Sequence, residues 1–83
     1  MNVYTCVAKL PAGNFQVAVL SENETDARSD IRLAIQNVMI VPYSMTYVKE
    51  VKKTTRRVIS SMAPIKNCTS HVDGQWGWAK KIK

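Results

Sequence analysis

Residues 23 to 38, NETDARSDIRLAIQNV, carry one apolar stripe of helical period, and a helix with one apolar face needs a surface to lie on. Ala27, Ile31, Ala34, Ile35 and Val38 recur at the spacing that places them on one side of an α-helix. The start of this helix is also written in. Asn23 offers a side-chain oxygen to backbone N–H groups of the first turn, and Asp26 follows three residues on. Glu24 and Asp26 sit at the positive end of the helix dipole, while Arg28 and Arg32 project from another face. Pro42 limits the helix, because proline disfavours helical geometry in the residue before it.

The surface that receives the stripe is expected from the segments on either side. VYTCVAKL and NFQVAVL are rich in β-branched and aromatic residues and flank Pro11–Gly13, a turn of hairpin length. Their alternation is partial, Val3, Thr5 and Val7 against Tyr4, Cys6 and Ala8. That suits strands covered on one face and partly protected on the other. A hairpin with a single helix is marginal, so a third strand is expected to complete the sheet.

Residues 45–62 should supply it, and here local rules conflict. As a helix, the segment would line Lys49, Lys52, Lys53, Arg56 and Arg57 along one face, with Val48, Val51, Thr55, Val58, Ile59 and Met62 on another. Yet Val, Ile, Thr and Tyr fill much of it, and these favour pleated structure. A strand over roughly 45–53 is slightly favoured over the helix. Basic side chains on both its faces make it an edge strand or an exposed ribbon. The expected fold is a small α+β single domain over residues 1–83. It has an N-terminal β-hairpin, one capped amphipathic helix on an antiparallel sheet, and a basic C-terminal half.

With 46% hydrophobic residues, ordinary for a globular chain, disorder is not the expectation. No apolar run approaches the ~20 residues that span a bilayer. The N-terminus lacks the charged start of a secretory signal, so a soluble cytoplasmic protein is expected. Cys6 and Cys68 read as two reduced thiols, the first in a strand and the second in a loop. Cys68, His71 and Asp73 fall short of the four paired ligands of a structural zinc site, so no metal is expected. His71 is the only histidine, and three glycines leave no phosphate-cradling loop. Glu22, Glu24, Asp26 and Asp30 are explained by capping and solvation. A binding protein without cofactor, rather than an enzyme, is the expectation.

Charge gives that binding a direction. The net charge of +6 is the balance of −1 over residues 1–44 and +7 over residues 45–83. Such asymmetry points to an acidic partner for the second half. Lys49, Lys52, Lys53, Arg56 and Arg57 are the first candidate contacts, with Lys80, Lys81 and Lys83 as a second patch. Nucleic acid fits this pattern, since Lys and Arg contact phosphates and aromatic rings stack on unpaired bases. Tyr47, Trp76 and Trp78 are interleaved among the basic residues, with Trp76 and Trp78 as stacking candidates if exposed. A competing explanation gives the lysines to solubility and edge protection, and the tryptophans to the core. No RNP signature, GxxG loop or Cys/His finger is present.

The succession of two strands, VLSENETDARSDIRLAI and then VPYSMTYVKEV, covering roughly residues 3–53, resembles the β-β-α-β layout of small phage-encoded proteins. The RNA polymerase inhibitors of T7-like phages are similar in outline. The resemblance rests on pattern without a diagnostic motif, and the basic tail departs from it. It implies a class of phage or mobile-element proteins, anti-CRISPR proteins among them, that bind and disable a host protein complex. On that reading the basic half would meet an acidic host protein surface.

Overall fold

The chain is described by a computed structural model covering residues 1–39, 47–48, 50–70 and 74–82. Pro42, Lys49, His71, Asp73 and Lys83 lie outside the described residues, as do the side chains of Val38 and Tyr47. Strands β1 (Asn2–Leu10) and β2 (Gly13–Ser21) pair antiparallel from Leu10↔Gly13 to Asn2↔Ser21, leaving Pro11 and Ala12 as the loop. Gly13 turns back with φ at 132°, where a side chain would be strained.

Helix α1 (Glu24–Met39) begins as its sequence dictates. The Asp26 N–H donates to Asn23 Oδ1 at 2.9 Å, and Asn23 Nδ2 donates back to Asp26 Oδ2 at 3.2 Å. Ser21 Oγ donates to Asp30 Oδ2 at 2.5 Å, tying the end of β2 to the second turn of the helix. Ala27, Ile31, Ala34 and Ile35 are all buried, and they dock with Tyr4, Cys6, Ala8, Val17 and Val19 in one core cluster.

The chain then makes β3 (Tyr47–Val48) and β4 (Lys52–Thr54), both paired with β1. Lys9 stands opposite Tyr47, but Thr5 stands opposite Lys52. The register thus advances by one residue between the two pairings, which marks a bulge. The expected edge strand is present, in two pieces. After Thr55 the structure changes type, to a 3-10 helix, Arg56–Ser61, hereafter the strap. Short strands β5 (Ala63–Pro64), β6 (Thr69–Ser70) and β7 (Gly74–Gln75) precede β8 (Gly77–Lys81).

β8 does not join the edge of the sheet. It inserts beside β2, with β5 outside it, giving an antiparallel sheet five positions wide in the order β3/β4, β1, β2, β8, β5. β6 and β7 form a separate two-stranded ribbon. To reach β5, the strap crosses the sheet face opposite α1. There Val58, Ile59 and Met62 pack with Val3, Ala18, Leu20 and Trp78 in a second cluster. This second cover explains the partial alternation of β1: both parities bury apolar residues, against different partners. Trp76 joins the two clusters and is half-buried, as is Trp78.

One contact in β8 is unusually close. A Cβ placed on Gly77 would stand 2.9 Å from both Cβ and Sγ of Cys68. Gly77→Ala should therefore destabilise the protein by about 1–3 kcal/mol in urea titrations, the usual range for overpacking. Adding Cys68→Ala should not restore the parent value, because the Cys68 Cβ contact survives.

Candidate nucleic-acid interface

Directly opposed residues of an antiparallel ladder point to the same face, so the register alone assembles the surface opposite α1. One row across it runs Lys52, Thr5, Ala18, Trp78, and the next runs Val7, Gln16, Lys80. Lys9 and Asn14 form a third row toward the hairpin turn. The strap covers the end of this face that holds Val3 and Leu20. No described element covers the other end, where Thr5, Val7 and Gln16 are half-buried as its floor and Lys9, Lys52 and Lys80 are exposed around it. Thr5 Oγ1 donates to the Val17 carbonyl at 3.0 Å and accepts from Gln16 Nε2 at 3.4 Å, which fixes the polar floor. A shallow depression of about 250 Å³ lies between Thr5, Gln16, Glu50 and Lys52.

From strand spacing and rise, the Cα atoms of the three lysines form a triangle with sides of about 12–16 Å. None of the three makes an ion pair among the described residues. Glu22, Glu24, Asp26 and Asp30 belong to the approach and first turns of α1, on the other side of the sheet. Positive charge is thereby concentrated on the open face, where Glu50 is the one described carboxylate nearby.

The residues named from sequence divide between two sides. Lys52 and Lys80 belong to the open face, and exposed Arg56 and Arg57 extend it from the first turn of the strap. Lys53 stands opposite Tyr4 and Lys81 opposite Phe15, so both project toward the helix side. Lys49 and Lys83 fall outside the described residues. Trp76 and Trp78 pack against the core cluster under the strap, leaving only part of each ring accessible. Lys9 was not among the residues expected from sequence. Its parity with Thr5 and Val7 carries the signal, once the face opposite the helix is known.

Both thiols are free and buried, and burial favours the neutral form of each. Burial pushes the Cys6 thiol up to about 12 against a smaller opposing pull from Arg28. Burial also raises Cys68, which a weak hydrogen bond from Asn37 partly offsets. Among the described residues no three His, Cys, Asp or Glu side chains are grouped to hold a metal ion. Among the described residues no helix is long and apolar enough to cross a membrane. Comparison with protein-family models, with curated proteins and with solved structures finds no match for this chain.

Proposed function

We propose that this chain is a small, non-catalytic binding protein that holds nucleic acid on the open face of its sheet. The observation that carries this reading is the grouping of Lys9, Lys52 and Lys80 around a half-buried polar floor, with most of the acidic side chains on the far side. The three lysines would contact phosphates, and Arg56 and Arg57 would continue the track along the strap. Trp78 would add stacking only through the accessible edge of its ring. Arg56 and Arg57 suit this role because guanidinium groups grip phosphate oxygens in pairs.

Fluorescence anisotropy with labelled single- and double-stranded DNA and RNA, across a salt series, tests it. Lys9/Lys52/Lys80→Ala should weaken binding more than tenfold near 0.1 M salt. It should also reduce the slope of log affinity against log salt by about 2–3, one increment per lost phosphate contact. Lys53/Lys81→Ala removes charge from the other side and should cost much less. Equal losses in the two variants would mean that net charge, and not this face, governs binding. No binding near physiological salt would sink the reading.

A second reading draws on the order of hairpin, helix and edge strand, which resembles the layout expected of small phage inhibitors. In it the same lysines dock on an acidic surface of a host protein complex. Binding to such a complex without affinity for bare nucleic acid is the result that would favour it.

A further inference from the structure

The outer edge of β8 is only partly covered. Ala63 and Pro64 pair with Ala79 and Trp78, and toward Lys81 the pairing stops there. Which backbone groups look outward follows from the ladder. The Ile82 N–H donates to the Asn14 carbonyl and the Leu20 N–H to the Trp76 carbonyl, each at 2.9 Å, so the even-numbered residues here bond with β2. The odd-numbered ones face away, as Gly77 does in accepting the Ile65 N–H at 3.0 Å. Lys81 therefore presents its N–H and C=O at the outer edge. Continued register would set Ser61 against it, but Ser61 belongs to the strap.

Beside this bare edge, on the α1 side, lies a groove of about 440 Å³. Phe15, Ala63, Ile65 and Ala79 make its apolar lining, and Lys66 and Lys81 stand at its mouth. Both lysines are exposed, and neither is ion-paired among the described residues. The size is within the range of sites that bury an anchoring side chain or a small molecule. Nothing in the nucleic-acid reading uses this groove, which is on the opposite side of the sheet from Lys9, Lys52 and Lys80.

We propose that the groove takes an extended segment of a partner protein in which apolar residues stand next to acidic ones. Each part of the site accounts for one part of that segment. The outward N–H and C=O of Lys81 pair with its backbone, as when a peptide adds to a sheet edge. The apolar lining takes a side chain on the inward side, and Lys66 and Lys81 meet the carboxylates. Nucleic acid would leave the apolar lining empty, and a small aromatic anion would leave the strand edge unpaired.

Selection from a random-peptide display library on the whole chain, followed by amide chemical-shift mapping, tests this. Enriched peptides should pair Asp or Glu with Val, Ile, Leu or Phe and should shift Phe15, Lys66, Ala79 and Lys81. They should leave Lys9, Lys52 and Lys80 unmoved. Lys66→Glu/Lys81→Glu, at two exposed positions, should weaken the best peptide at least tenfold with the circular dichroism spectrum unchanged. The proposal fails if no peptide is enriched, if the enriched peptides are basic, or if they map to the other face. It fails equally if the double variant binds as the parent does. Saturation of the groove by anilinonaphthalene sulfonate where no peptide binds would assign it to small anions instead.

Discussion

Replacing Ile31 by alanine should lower the unfolding free energy by about 2–5 kcal/mol, the cost of emptying a sealed core position. Ile31 is 0% exposed and is flanked on the same helix face by Ala27, Ala34 and Ile35. Those two alanines are too small to close the space it would leave. Domains of this size have roughly 5–10 kcal/mol in all, so the variant should melt more than about 10 °C below the parent. Leu33 on the same helix is 48% exposed, and Leu33→Ala should stay within about 0.5 kcal/mol. Urea titration of both variants checks the contrast. Comparable effects would mean that α1 does not dock through the Ile31 stripe.

Alkaline pH should weaken the fold through Cys6. Its thiol titrates near 9.0 when unperturbed and near 12 when buried between the hairpin and α1. Above pH 9 the unfolded chain releases a proton that the folded chain keeps, so the unfolded state gains. The stability held by the neutral thiol is complete below pH 9 and is lost as pH rises toward 12, in total about 4 kcal/mol. Cys68 acts in the same direction. The reference is Cys6→Ala, which lacks this thiol and shares every other ionisable group. Between pH 8 and 10.5 its urea midpoint should fall less steeply than that of the parent. Parallel curves would show that the Cys6 site admits water.

Two elements were legible in the sequence, the hairpin around Pro11–Gly13 and helix α1, and the signals for both are local. Asn23 with Asp26, and the Ala27–Ile31–Ala34–Ile35 stripe, need no distant partner to be recognised. Residues 45–62 gave two answers because they hold two structures. Strand-forming residues run to Thr54, and the amphipathic spacing of Val58, Ile59 and Met62 belongs to the strap that follows. The candidate surface was harder to read. Lys52 and Lys53, like Lys80 and Lys81, are neighbours in sequence, but strand alternation sends them to opposite sides of the sheet. Lys9 joins Lys52 and Lys80 only through pairings of β1 with β4 and of β2 with β8, and no local pattern encodes those. The need for glycine at position 77 is likewise set by Cys68, nine residues earlier and separated from it by β6 and β7.

The insertion of β8 between β2 and β5 has a consequence during synthesis. The ribosome delivers β1, β2 and α1 early, and they can dock as soon as they emerge. The outer edge of β2 then has no neighbour until residues 77–81 follow, and the strap has no far side to anchor on. For that interval Gln16, Ala18 and Leu20 present their backbone groups at an open strand edge of the kind that recruits other chains. The interval between the docking of α1 and the arrival of residues 77–81 is therefore the one in which the newborn chain is most open to aggregation.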